Sequence, residues 1–222
     1  MDNLFIFPPP FVWYTEISNH EEIKKKYLPL LNEEYLNKRD EYNEENYWDC
    51  SVTSSFHAPN YTSCTFLDDY FWSNVLWGPM DRMLDQVCGN LNIQPPINSR
   101  VSKVWWNKYK PGEWQEVHTH KSEGSYAGVF SGIYLIESDE EDPVTSFVNN
   151  QTFVYSSPIQ NYETFKAPVK EGCVILFPSE VMHYVNPCTN PRTTVSFNIS
   201  SKLPNPVEEF KKMLKEEKNG TK

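Results

Sequence analysis

No run of eighteen apolar residues occurs in this chain, so no membrane-spanning helix is expected. The opening residues, MDNLFIFPPPFVW, lack the basic segment that precedes the apolar core of a secretory signal. Cysteine is scarce and scattered: Cys50, Cys64, Cys88, Cys173 and Cys188 are odd in number and contain no CxxC pair. That spacing argues against a disulfide framework and a zinc knuckle, and leaves buried free thiols as the simpler expectation. Excess positive charge is missing as well. A net charge of −10 and a pI near 5.0 oppose the basic footprint of a nucleic-acid binder. The chain therefore reads as soluble and cytoplasmic, with neither a membrane nor a nucleic acid as partner. No internal repeat is visible.

What the chain does have is enough apolar residues for a core. Hydrophobic residues make up 39% of its 222 positions against 23% charged, which is a globular balance. Three consecutive prolines, Pro8 to Pro10, exclude a helix at the start, so residues 1–15 should be extended, laid over the fold or added at a sheet edge. Ser18 or Asn19 can cap a helix through EEIKKKYLPLL, which Pro29 should limit to a few turns. The polar stretch after it is open between helix and loop. Between Leu67 and Leu91, Phe71, Val75, Leu76, Met80, Met83, Leu84 and Val87 recur at three- and four-residue steps, an amphipathic helix that Gly78-Pro79 should kink or split.

After Pro95-Pro96 the period changes to two. Strands are expected at 102–109, 114–120, 127–136, 145–149, 152–155, 163–167, 172–177, 182–186 and 192–200. Many short strands with turn signals between them indicate a β-sandwich or jelly roll. The last residues, NPVEEFKKMLKEEKNGTK, read as an exposed charged helix. The layout is one α+β unit over residues 1–222: a mainly helical region at 1–100, a β core at 101–201, and a C-terminal helix at 202–222.

Two stretches carry the chemistry. In VWWNKYKPGEWQEVHTH, residues two apart on a strand share a face, so Glu116, His118 and His120 should point the same way. Two imidazoles at that spacing can share one first-row metal ion, although an isolated HxH can equally be a surface pair. About sixty residues later the apolar strand GCVILF is followed by a turn and by His183, well placed to supply a third ligand. Arg192 then opens RTTVSFNIS, whose alternation puts Arg192, Thr194, Ser196 and Asn198 on one face. A guanidinium on a buried strand requires an anion: either a protein carboxylate or the carboxylate of a ligand.

The runs WWNKYKPGEWQEVHTH, SGIYLI, EGCVILFPSEVMHYV and RTTVSFNIS together resemble the 2-oxoglutarate- and iron(II)-dependent dioxygenases. The group they look most like is common in marine phages and bacteria, which would place the protein in an infected host's cytoplasm. The resemblance spans about residues 100–200, and more loosely WDCSVTSSFHAP. It implies a double-stranded β-helix, the cupin-like jelly roll, with Fe(II) in its mouth and 2-oxoglutarate and O2 as co-substrates. It also implies that His118, His120 and His183 are ligands and that Arg192 grips the far carboxylate of 2-oxoglutarate, with Thr194 or Ser196 adding a hydroxyl. Tyr109 would lie against the co-substrate, and Asn107 shares its strand face. The family ordinarily has a carboxylate where this chain has His120. Glu116 is the alternative middle ligand, or an acceptor for an imidazole N–H. Two competing functions stay open: a three-histidine dioxygenase without 2-oxoglutarate, and a non-catalytic jelly roll that binds a partner or sits in a virion.

Overall fold

Two antiparallel sheets pack face to face in the computed structural model, which describes residues 11–44, 50–57, 63–91, 97–120, 128–139, 145–149 and 163–202. The strands are β1 (Trp13–Glu16), β2 (Thr53–Ser54), β3 (Ile97–Tyr109), β4 (Gln115–His118), β5 (Gly128–Ser138), β6 (Thr145–Asn149), β7 (Glu163–Lys166), β8 (Cys173–Pro178), β9 (Met182–Val185) and β10 (Arg192–Lys202). The larger sheet has the order β1-β8-β5-β10-β3-β2 and the smaller β4-β9-β6-β7. β1 joins the edge of the larger sheet beside β8, the edge addition expected for the proline-led start. The expected strand at 152–155 and the C-terminal helix lie outside the described residues.

The period-two pattern separates two cores. On β5, β8 and β10, Tyr134, Ile136, Val174, Leu176, Val195, Phe197 and Ile199 face the helices, while Ile133, Leu135, Ile175 and Phe177 face the smaller sheet and Phe147. The strand GCVILF is thus apolar on both faces because both are covered. Gly132, opposite Phe197 in the β5–β10 register, leaves room for that ring: a Cβ there would lie 2.2 Å from Phe197 Cε2.

The helices cover the outer face of the larger sheet. Helix α1 (His20–Glu44) buries Ile23, Tyr27, Leu31 and Tyr42. It runs past Pro29 rather than stopping there. A proline inside a helix removes one N–H donor, a local cost that the buried apolar stripe on both sides of it outweighs. The polar stretch that follows is helical as far as Glu44, with Tyr42 buried. Asp68 caps α2 (Asp69–Trp72), its carboxylate accepting from Phe71 N at 3.1 Å. The expected split at Gly78-Pro79 takes the form of a single wide π turn, Ser73–Trp77, before α3 (Gly78–Leu91) continues. The frame shift falls just ahead of Pro79, which has no N–H to offer. Phe71 packs edge-on against Tyr27 and Tyr134, and Trp72 against Phe197, which fixes the helices to the sheet.

One polar cluster also joins them. His20 Nδ1 lies 2.7 Å from Tyr134 Oη, and Glu171 accepts from Lys24 Nζ at 2.6 Å and from Ser138 N at 2.8 Å. None of the five cysteines forms a disulfide. Among the described residues no helix is long and apolar enough to cross a membrane.

Candidate metal centre

His118 ends β4 and stands directly opposite His183 of β9 in the antiparallel register. From that pair to Gln115↔Val185 the count is three residues on β4 against two on β9, so β4 carries a β-bulge. The bulge turns Gln115 inward along with His118. Glu116 is displaced from the shared face the alternation predicts, and its carboxylate is not in the imidazole group. His120 lies two residues past the end of β4, where its backbone N–H donates to Ser179 O at 3.0 Å. The HxH pair is therefore half strand and half loop, but its rings still meet. Ring centroids are 4.2 Å apart for His118 and His183, 4.7 Å for His120 and His183, and 5.3 Å for His118 and His120. One nitrogen from each ring lies within 4.8 Å of the others.

Two of the three rings are oriented by backbone carbonyls. His118 Nδ1 donates to Glu116 O at 2.8 Å, and His183 Nδ1 donates to Val181 O at 3.1 Å. Each bond places the proton on Nδ1 and leaves Nε2 as a lone-pair donor. Glu116 thus orients His118 through its main chain, while its carboxylate, with Oε2 buried and without a hydrogen-bond partner among the described residues, acts on the same ring electrostatically. His120 Nδ1 is buried without a hydrogen-bond partner, and the ring packs edge-on against Trp105 at 5.0 Å. Burial pushes all three imidazoles below their ordinary pKa, and their mutual proximity adds to this for His120 and His183. At neutral pH they are uncharged, the form that binds a metal ion.

The opposite wall is the inner face of β3 and β10. The register pairs Arg192 with Tyr109, Thr194 with Asn107 and Ser196 with Trp105. Asn107 Nδ2 donates to Ser196 Oγ at 3.2 Å and to Thr194 Oγ1 at 3.4 Å, while its Oδ1 accepts from Ser54 Oγ at 2.6 Å. Tyr109 Oη donates to Gln115 Oε1 at 2.8 Å. Burial pushes the Tyr109 phenol well above its ordinary pKa, so it stays protonated. Arg192 is 1% exposed and sits 5.4 Å from the Tyr109 ring centroid. Its Nη2 donates to Thr145 Oγ1 at 2.7 Å, but Nε and Nη1 have no partner. Among the described residues no carboxylate pairs with this guanidinium. Such a charge is costly to bury unless a ligand completes it.

Imidazoles and guanidinium line one narrow cavity between the sheets, with Tyr109, Thr194, Ser196 and Asn107 on its walls. Three neutral, convergent nitrogen donors suit a divalent first-row ion, and the unsatisfied guanidinium N–H groups suit a carboxylate. The residues present fit Fe(II) and 2-oxoglutarate. Gln115 and Thr145 were not expected from the sequence; the bulge that brings in Gln115 leaves no local signal, whereas Thr145 opens a strand that the period-two pattern did predict. Of the three tryptophans near the site, Trp105 lines the cavity, Trp106 is core, and Trp114 is partly exposed.

Three convergent imidazoles between two antiparallel sheets form a candidate metal centre. Residues 103–198 match the family model described as "Putative 2OG-Fe(II) oxygenase". The matched segment runs from within β3 to within β10 and contains His118, His120, His183 and Arg192. No curated protein matches it in sequence. Its fold is similar to that of a prolyl-4-hydroxylase from Pseudomonas putida, with TM-score 0.52 and 14% identity over 86% of this chain and 92% of that one. It is also similar to a prolyl hydroxylase from Trichoplax adhaerens, with TM-score 0.52 and 11% identity over 86% and 83%. The carbocyclase SnoK of nogalamycin biosynthesis gives TM-score 0.54 and 12% identity over 86% and 79%.

Proposed function

We infer that His118, His120 and His183 hold Fe(II) and that Arg192 binds the distal carboxylate of 2-oxoglutarate, in an enzyme that hydroxylates a substrate yet to be identified. The observation that carries this reading is Arg192, a fully buried guanidinium with two unsatisfied nitrogens in the same cavity as three convergent imidazoles. Bound Fe(II) would supply the redox chemistry by which O2 and 2-oxoglutarate become succinate, CO2 and one oxygen atom inserted into a C–H bond.

The chain's own residues bind and orient. Glu116 O and Val181 O fix the rings of His118 and His183 with Nε2 toward the metal position. Thr145 holds one edge of the Arg192 guanidinium, so the remaining N–H groups are aimed before the co-substrate arrives. Thr194 and Ser196, tied together through Asn107, offer hydroxyls beside it, and protonated Tyr109 closes the wall. Ile133 and Val185 help keep water from the cavity.

Three histidines alone would also suit a dioxygenase that needs no 2-oxoglutarate, but that reading leaves the Arg192 N–H groups without a purpose. A cytoplasmic location, with reduced thiols, a ready supply of 2-oxoglutarate and no nucleic-acid partner, fits the acidic composition. The test is O2 uptake by the Fe(II)-loaded protein with 2-oxoglutarate. Succinate released in step with oxygen supports the assignment, and oxygen uptake with 2-oxoglutarate left intact points to the three-histidine alternative.

A further inference from the structure

The bulge that takes Glu116 out of the imidazole group delivers it to a second place. With Gln115 opposite Val185 and His118 opposite His183, Glu116 and Val117 are both left facing Tyr184. These three, with Trp114, Asn186 and Pro187, line an open groove on the β4–β9 ladder. Gln115 and Val185 line both this groove and the metal cavity, so the two share a wall. Trp114 and Val117 are two of the five large apolar side chains left exposed among the described residues. The Trp114 main chain is nevertheless fixed, its N–H donating to Ser51 Oγ at 3.1 Å and its carbonyl accepting from Ser51 N at 3.4 Å.

Glu116 is the only charged side chain among the described residues that line the groove. Its Oε2 is closed off from water and accepts no hydrogen bond among the described residues. Its charge is felt at His118 and Tyr109, but neither donates to it: His118 Nδ1 is taken by the Glu116 carbonyl and Tyr109 Oη by Gln115. A carboxylate oxygen in that state is costly until a donor reaches it. The carboxylate turns easily about its last bond, so a donor arriving in the groove can be met by either oxygen. An acid beside aromatic rings is the chemistry that recognises an organic cation, whose N–H groups donate to the carboxylate while its alkyl part lies along the rings. The net charge of −10 draws such a ligand from a distance.

We propose that this groove binds an organic cation, an alkylammonium or guanidinium group carried by the substrate, with Glu116 as its counter-ion and Trp114 and Tyr184 as its walls. That the cation belongs to the substrate rests on the oxygenase reading given above; the binding itself does not. β4 is an edge strand with His118 at its end, so the groove and the metal position lie on two sides of one strand. Glu116 is then a specificity residue, selecting substrates by their positive charge.

The full chain, loaded with Zn(II) and 2-oxoglutarate, is titrated with n-butylammonium, n-butylguanidinium and uncharged n-butanol, and binding is read by saturation-transfer NMR of the probes. Saturable binding of either cation, with butanol much weaker, supports the proposal; no binding, or butanol binding equally well, overturns it. Glu116→Gln should weaken the cations about tenfold or more, the loss expected when the charged partner of a hydrogen bond is removed, and should melt no lower than wild type. Unchanged affinity overturns the proposal. Trp114→Ala, at an exposed position, should also weaken them; should Glu116→Gln fail to fold, this variant decides, and undiminished affinity overturns the proposal there as well. Mn(II) in place of Zn(II) then tests the link to the centre. Broadening of the bound n-butylammonium lines supports a cation held beside the metal, and sharp lines with Mn(II) bound overturn the substrate role. If the cations bind but the protein takes up neither metal, the oxygenase reading fails and the cation site stands.

Discussion

Replacing Arg192 by methionine tests whether its guanidinium serves the fold or a ligand. An arginine paired internally with an acid would leave a buried uncompensated charge when removed, at a cost of about 3–5 kcal/mol. Arg192 has no such partner among the described residues; it has two buried, unsatisfied nitrogens, each group of that kind costing about 1–3 kcal/mol. Methionine fills similar volume without any donor and strands only the Thr145 hydroxyl, which can turn to another acceptor. The unliganded variant should therefore melt no lower than the wild type. The liganded comparison should run the other way. At 2-oxoglutarate one hundred times above Kd, the wild type gains about 2.7 kcal/mol, which in a chain of this size raises Tm by about 5–10 °C. Losing a desolvated charge partner costs about 2 kcal/mol at the low end, or about 30-fold in affinity. The same concentration would then yield less than about 1 kcal/mol, a shift of about 2–3 °C. Thermal melts of both proteins, with Mn(II) as a redox-inert metal and with or without 2-oxoglutarate, give the four numbers required. A variant that melts well below wild type without ligand but keeps the full ligand shift would refute the assignment.

His183→Ala removes a ring held by Val181 O at the centre of the triad, and metal analysis of the purified variant should find less than one tenth of the wild-type content. Thr145→Val deletes the hydrogen bond that aims Arg192, so the KM for 2-oxoglutarate should rise about tenfold, as expected for a hydrogen bond to a charged group, with kcat little changed. Gly132→Ala drives a methyl into the Phe197 ring and should cost about 1–3 kcal/mol in urea unfolding; full stability would mean that the sheet shifts freely there. Burial raises the Glu171 pKa, but Lys24, the Ser138 amide and His20 outweigh it and hold the carboxylate below its ordinary value. The stability this contributes is present above the unfolded pKa near 4.5 and is lost as pH falls through the lower folded value. Glu171→Gln should flatten that acid limb of the stability profile and leave the curve above pH 6 parallel to wild type.

The features legible in the sequence were those that a local rule determines. Alternation on β10 put Arg192, Thr194 and Ser196 on one face because nothing disturbs the pleat between them, and all three line the cavity. The apolar run at β8 signalled a strand covered on both sides. Where a tertiary term competed with a local one, the local rule lost. Pro29 predicted a helix end, yet the stripe of Ile23, Tyr27 and Leu31 packs so completely that the missing hydrogen bond is tolerated. Gly78-Pro79 predicted a break, and a π turn absorbed it.

The middle of the site shows the same competition at the level of one residue. Strict alternation along β4 would bring Glu116 to the metal with His118 and His120, giving the centre a carboxylate. The bulge between Gln115 and His118 cancels that, since an extra residue on one strand reverses the face of everything before it. Gln115 enters to accept from Tyr109, and Glu116 meets His118 through its main-chain carbonyl while its carboxylate stays outside the imidazole group. A bulge depends on what the opposite strand, sixty residues away, presents, so no reading of QEVHTH by itself could have chosen between the two residues. Its consequence is electrostatic as well as geometric: outside the imidazole group, the acid still acts on His118 through space, with one carboxylate oxygen buried and without a hydrogen-bond partner among the described residues.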